Sequence, residues 1–300
     1  MQRERQRLGK EGFQRRGSDC KGSQERKATG REKSEMKSGT VISEKLMDQM
    51  IQVVKEGGEI ILSARHIGES VTAKEGRGNF VTAYDKKVQA FLFERLKEVL
   101  PAAVFVGEEE ESHPDITNGY AFIIDPIDGT MNFMKGYRRS AISVGLLKEG
   151  MPCAGIVYNP YAGEMFSAIR GKGAFLNGQK IHVADEDLSE QLVLFGTSPY
   201  NQELYEKAFR TCYALFQKCP DIRRSGSAAI DLCDVACGRA GLYFELLLSP
   251  WDYAAGSLIL AEAGGKAVTP EGEELTFDRK NGVVAGSILT VEEALSCMKG

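Results

Sequence analysis

The chain has 300 residues, 42% of them hydrophobic and 27% charged, with a formal net charge of −4. That is ordinary globular composition, enough for one large domain or two intimate ones. No apolar run reaches the roughly 18 residues of a membrane span, and seven scattered cysteines, an odd number, argue against a closed disulfide framework.

Residues 1–38 stand apart. They are rich in Arg, Lys, Gln, Gly and Ser, and Phe13 is their only aromatic. Such a segment cannot bury a core and is expected to be a disordered basic tail. It lacks the apolar centre of a signal peptide. Basic residues without interleaved aromatics make a poor nucleic-acid arm. A solvated tail, or a start codon placed too early with Met36 or Met47 as later candidates, accounts for it better. The expected compartment is a reducing cytoplasm.

Ordered structure is expected near Thr40. Val41 to Ser63 has helical periodicity through Ile51, Val54, Ile60 and Ile61. Gly76-Arg77-Gly78-Asn79 reads as a turn. Thr82 caps a second predicted helix to about Val99, which Pro101 ends. Ala103 to Val106 is a short strand, followed by Gly107 and the run Glu108 to Glu111. Tyr120 to Ile124 is an apolar strand leading into Asp125-Pro126-Ile127-Asp128-Gly129-Thr130-Met131-Asn132-Phe133. Pro126 is expected to stop that strand, and Gly129-Thr130 to open a helix whose free N–H groups suit an anion.

Three strands follow, Ala141 to Leu147, Cys153 to Tyr158 and Glu164 to Ile169. Gly171-Lys172-Gly173 is a turn, without the strand and GK[ST] of a P-loop. In the second half, Leu192 to Phe195, Ile222 to Arg224, Gly241 to Leu246 and Gly282 to Ala285 read as strands. Helices are expected over Glu203 to Gln217, from Ser225 or Ser227 to Ala236, and from Pro250 to Ala263. A last helix is expected to be capped by Thr290, with Glu293 completing a capping box. Cys233 and Cys237 lie four apart but lack a CxxC or nearby His, so they read as small packing residues. The mixture implies stacked α and β layers in two subdomains, 39–185 and 186–300.

Glu108, Asp125 with Asp128, and Asp252 each fall just beyond a predicted strand or at a helix start. Gathered in one cleft they would repel and raise one another's pKa, which a divalent cation would relieve. All are oxygen ligands, and His66, His113 and His182 have no metal spacing, so Mg²⁺ or Mn²⁺ is favoured over Zn²⁺. Spacing alone does not show whether the clusters meet.

Four segments in order carry a family likeness: Val81 to Asp85, Phe105 to Glu109, Asp125 to Phe133, and Trp251-Asp252-Tyr253-Ala254-Ala255-Gly256. Over residues 40–290 the chain resembles the inositol monophosphatase family of Mg²⁺-dependent, lithium-sensitive phosphatases. The resemblance implies an α+β fold, a layered αβαβα sandwich of the sugar-phosphatase type, two or three Mg²⁺ per site, and a homodimer. It places Glu108, Asp125 and the Ile127 carbonyl on a first metal, and Asp125, Asp128 and Asp252 on a second. Glu108 and water would form a third, weaker site. Asp85 and Thr130, with Glu108 nearby, would orient and deprotonate the attacking water, and the Gly129 and Thr130 amides would hold phosphate oxygens.

Each role has a plainer counterpart. Asp85 would otherwise only favour a helix dipole, Thr130 would only cap, and Glu109 to Glu111 would be solvated. Trp251 fits core packing better than a substrate platform. Arg223-Arg224 would bind a second phosphate or stand as a solvated pair.

For the substrate, Gly226-Ser227-Ala228 match the family's small-residue segment that contacts hydroxyls. Glu245 matches its acid against the inositol ring, and Lys74 a basic residue near the cleft. Glu245 would otherwise be a strand-end acid facing solvent. The stretch Leu246 to Pro250 is more apolar than in animal members, which carry a His there, and is similar to bacterial ones. The expected substrate is a small polyol phosphate, myo-inositol 1-phosphate first. Fructose 1,6-bisphosphate and 3′-phosphoadenosine 5′-phosphate remain open, as does a regulatory protein-binding or RNA-associated role.

Overall fold

The computed structural model describes residues 42–65, 71–73 and 80–298. The expected tail, the Gly76–Asn79 turn, His66 and Lys74 lie outside the described residues. In chain order the elements are α1 (Glu44–Leu62), β1 (Val71–Ala73), β2 (Phe80–Thr82), α2 (Ala83–Val99), β3 (Val104–Gly107), β4 (Tyr120–Asp128), α3 (Thr130–Met134) and β5 (Ala141–Lys148). Then come β6 (Met151–Asn159), β7 (Glu164–Ile169), β8 (Gly173–Leu176), β9 (Gln179–Lys180), β10 (Leu192–Phe195), α4 (Tyr205–Phe216), β11 (Asp221–Arg223) and α5 (Ala228–Ala236). The chain closes with β12 (Leu242–Leu248), α6 (Pro250–Glu262), β13 (Lys266–Val268), β14 (Asn281–Gly286) and α7 (Ile288–Met298).

Strands β3 to β9 form a seven-stranded sheet in sequential order. Only β3 and β4 run parallel in it. A five-stranded sheet has the order β11-β10-β12-β14-β13. Helices α1 and α2 cover one face of the larger sheet, where Met50, Val54, Val88 and Leu92 meet Phe122, Ile124 and Ile142. Helices α5 and α6 fill the space between the sheets, placing Leu232, Ala254 and Ala255 against Ile123, Val157, Tyr243 and Val283. On the far side Leu215 of α4 and Val291 of α7 pack on Val193 and Phe244. The architecture is a layered αβαβα sandwich. Strand β4 is covered on both faces, which is why its apolar run does not alternate with polar residues. Helix α6 lies directly on the larger sheet, since a Cβ at Gly155 would stand 2.8 Å from the Ala255 carbonyl.

Two expectations are corrected. Pro126 does not stop β4: the strand continues to Asp128 through a register shift, with Asp125 opposite Ser143 and Asp128 opposite Ala141. One extra residue is accommodated there, and a bulge tolerates proline because no ladder donor is needed. Glu293 does not cap α7. That helix begins at Ile288, and the Ser287 hydroxyl accepts the Thr290 N–H at 3.2 Å. Glu293 instead accepts the Leu188 N–H at 3.0 Å, 105 residues away. The sequence does not mark the short strands β1, β2, β8, β9 and β13.

Candidate active site

The bulge in β4 decides the geometry of the first acids. In an unbroken strand, residues three apart face opposite sides. The extra residue reverses that parity, so Asp125 and Asp128 point the same way. With Asp252 they form a cluster whose ligand oxygens lie within 4.8 Å of one another. Glu108 follows β3 and lines the same cavity of about 370 Å³. Its N–H is bonded to the Ile124 carbonyl at 3.2 Å, which fixes it beside β4.

Helix starts hold three of the site's carboxylates. Asp85 is the third residue of α2: its Oδ2 accepts from the Thr82 N–H at 2.7 Å and the Thr82 hydroxyl at 2.5 Å. Asp252 is the third residue of α6 and accepts the Ser249 N–H at 2.7 Å. Asp128, at the end of β4, reaches the start of α5, accepting the Ala229 N–H at 2.8 Å and the Ser227 hydroxyl. Asp125 accepts the Ile127 N–H at 2.9 Å. Carboxylates are favoured at helix N-termini by the local positive potential, so the backbone offsets part of the repulsion that gathering them creates.

That offset is incomplete. Burial, followed by the charges of Glu108, Asp128, Asp252 and Asp85, pushes the Asp125 carboxyl well above its ordinary value. Burial, Asp128 and Glu108 do the same to Asp252. Asp128 is pushed up by burial to about 6, against the lowering effect of Ser227, the Ala229 and Ala228 N–H groups, and Arg224. Buried acids that resist ionisation beside one another are a donor set suited to a hard divalent cation. The residues fit Mg²⁺.

Thr130 joins Asp85 to this group. Its hydroxyl lies 3.3 Å from Asp85 Oδ1 and 3.2 Å from the Ile127 carbonyl. Asp85 is buried, which raises its pKa against the bonds from Thr82. It therefore caps α2 with one oxygen and meets the Thr130 hydroxyl, which lines the cavity, with the other. Gly129 precedes α3 at φ +88°, and a Cβ there would lie 3.0 Å from the Gly226 carbonyl and 3.1 Å from that of Arg139. Gly226, Ser227 and Ala228 line the cavity beside it.

Glu245 does not face solvent. It sits within β12, 8% exposed, with Oε1 accepting the Ser198 N–H at 2.6 Å and Oε2 the Tyr243 hydroxyl at 2.8 Å. Of the arginine pair, Arg223 is exposed and bound to Asp221, whereas Arg224 lines the cavity. Trp251 both packs on the core and lines the cavity, edge-on to His113 at 5.4 Å. The sequence reading missed the wall formed by Gly196, Ser198, Pro199, Tyr200 and Asn201, and also Asp231 and Lys280. The Ser-Pro pair after β10 signals a turn, but nothing local says that this turn borders the acids.

Fold and site together define the class: a layered α+β sandwich of the sugar-phosphatase architecture, with an acidic cleft where the ends of β4 and β12 meet the starts of α5 and α6. The model of the inositol monophosphatase family matches residues 43–297. Inositol monophosphatase 2 of Solanum lycopersicum is 39% identical over 239 residues, covering 77% of this chain and 89% of that protein. A protein described as Nus factor SuhB, from Vibrio cholerae, is 36% identical over 234 residues, covering 78% of this chain and 87% of that one. Among solved structures, the inositol monophosphatase of Anabaena superimposes with a TM-score of 0.75 at 30% identity, covering 85% of this chain and 95% of that one. The chain belongs to the inositol monophosphatase family.

Proposed function

We propose that this protein is a Mg²⁺-dependent phosphomonoesterase acting on a small polyol phosphate, with myo-inositol 1-phosphate as first candidate. The observation that carries the reading is the meeting of Asp125, Asp128 and Asp252 in a cavity also lined by Glu108, Thr130 and Glu245. Glu108, Asp125, the Ile127 carbonyl, Asp128 and Asp252 would hold two or three cations. Bound there, Mg²⁺ would neutralise phosphate charge and make a water more acidic.

The chain's own groups have separate tasks. The Thr130 hydroxyl, 3.3 Å from Asp85, offers a route for a proton into the buried carboxylate. The N–H groups of Gly129 and Thr130 orient phosphate oxygens at the turn into α3. Gly226, Ser227 and Ala228 form the wall against the polyol, and Glu245 retains lone pairs for its hydroxyls. Subdomains 39–185 and 186–300 would each supply part of this cleft, and a homodimer in the cytoplasm is the working form. The apolar stretch Leu246 to Leu248 supports the bacterial type of substrate pocket, so fructose 1,6-bisphosphate and 3′-phosphoadenosine 5′-phosphate are tested beside inositol 1-phosphate.

The relative described as Nus factor SuhB supports a second reading, in which the protein also binds transcription machinery. Phosphate release from the three esters, with and without Mg²⁺ and with Asp125→Asn as control, separates them. Mg²⁺-dependent release lost in the variant supports the enzyme. No release from any ester makes the binding role the leading one.

A further inference from the structure

The turn after β10 runs along one wall of the cleft and is braced at three points. Glu245 Oε1 accepts the Ser198 N–H at 2.6 Å. The Leu247 N–H donates to Ser198 Oγ at 3.0 Å, and the Leu247 carbonyl lies 3.4 Å from the same oxygen. The Tyr205 hydroxyl donates to the Pro199 carbonyl at 2.6 Å. Ser198 has φ +43°, a region that L residues rarely occupy, so the brace maintains a backbone the chain would not adopt alone. Gly196 leaves the room this needs: a Cβ there would stand 1.8 Å from Glu245 Oε2.

What this braced turn presents to the cleft is Tyr200. Its surface is 51% exposed at the cleft mouth. Tyr200 lines the same cavity as Glu108, Asp125, Asp128, Gly129, Thr130 and Asp252, and burial first, then the charges of Glu108, Asp252, Asp125 and Asp128, push its phenol above the ordinary value. A phenol is a hydrogen-bond donor throughout the neutral range.

We propose that the Tyr200 hydroxyl donates to an oxygen of the phosphate ester seated over the acidic cluster, and that Glu245 is a positioning residue that acts on the reaction through Ser198 and this turn. The inference rests on the phosphatase reading above. It differs from a role confined to polyol hydroxyls, because a hydrogen bond to the phosphate end is felt whatever the leaving group.

The test uses Tyr200→Phe, Glu245→Ala, Glu245→Gln and the Tyr200→Phe/Glu245→Ala pair, with inositol 1-phosphate and with 4-nitrophenyl phosphate. The second ester has no hydroxyl for Glu245 to receive. Tyr200→Phe is expected to lower kcat/KM about tenfold or more for both esters, the loss of a bond to a charged group. Glu245→Ala should lower the 4-nitrophenyl ester by a similar factor and inositol 1-phosphate by at least as much. Glu245→Gln, which still accepts from Ser198, should restore the 4-nitrophenyl ester. With 4-nitrophenyl phosphate the double variant should be no worse than the poorer single one. A Tyr200→Phe enzyme within twofold of the original, or a Glu245→Ala loss confined to inositol phosphate, overturns the proposal.

Amide hydrogen exchange in the metal-free protein gives a readout apart from turnover. Faster exchange over 196–201 in Glu245→Ala, with the rest unchanged, supports the brace, and unchanged exchange there overturns it. If Glu245→Ala does not fold, Tyr200→Phe and Glu245→Gln decide. If the unsubstituted protein cleaves neither ester, the phosphatase reading fails, while the exchange result still decides the brace.

Discussion

Replacing Gly196 by alanine puts the packing around Glu245 to a quantitative test. An added Cβ would lie 1.8 Å from Oε2, 2.0 Å from Cδ and 2.6 Å from Oε1 of Glu245. A glutamate free to rotate would swing away at little cost. This one is buried and bonded to the Ser198 N–H and the Tyr243 hydroxyl. Moving it breaks bonds to a charged group, each worth about 1.5–3 kcal/mol. Moving Gly196 instead breaks its own N–H bond to the Phe244 carbonyl at 2.8 Å and overpacks the end of β10, at roughly 1–3 kcal/mol. Either route leads to a destabilisation of about 3 kcal/mol. In a domain of this size that lowers Tm by about 6–12 °C. Thermal unfolding by circular dichroism, with a urea midpoint alongside, measures it. A Tm within about 2 °C of the original, with an unchanged midpoint, would refute the claim that this carboxylate is fixed.

Asp125→Asn is expected to abolish Mg²⁺-dependent turnover and yet raise the metal-free Tm by about 3 °C, the shift that 1 kcal/mol brings. It removes one charge from a cluster whose members push one another's pKa up, so a lower metal-free Tm would contradict the repulsion. Asp231 is pushed up to about 7 by burial, which outweighs the Arg139 guanidinium at 3.3 Å. A folded pKa raised above the unfolded value stabilises fully below about pH 3.9, and the contribution is lost as pH rises through 7. The loss is on the order of 4 kcal/mol. The stability of Asp231→Asn relative to the original should therefore improve between pH 4 and 7.5, and a constant difference in urea unfolding across that range would sink the assignment. Glu293→Ala leaves the Leu188 N–H without its partner and should cost about 1–2 kcal/mol. Exchange of the Leu188 amide should rise with it, and an unaffected amide would show that the contact contributes nothing.

Several site features were legible because their chemistry is local. Thr82 with Asp85, and Ser249 with Asp252, are hydrogen-bonded across three residues, so a short stretch of sequence already contains both partners. The strand ahead of Asp125 and the turn at Gly129 are announced by an apolar run and a glycine. Pro126 misled because a proline ends an isolated strand, whereas a bulge against β5 accommodates it. Glu293 misled for a related reason. The capping-box spacing from Thr290 is present, but a partner 105 residues away claims the carboxylate. The wall from Gly196 to Asn201 carries no motif, and its importance arises from Glu245, 47 residues on from Ser198.

By itself the sequence determined the inventory: which residues are acids, where the longer strands and most helices lie, and that the oxygen ligands suit a hard cation. Those outcomes depend on interactions between neighbours in the chain. Tertiary structure alone decided that Asp125, Asp128 and Asp252 meet within 4.8 Å, that Glu245 is buried, and that Tyr200 lines the same cavity as the acids. Each of these needs the two sheets to be stacked through α5 and α6. The pKa of a carboxylate likewise follows from burial and from charges distant in sequence, and those exist only once the chain has closed around them.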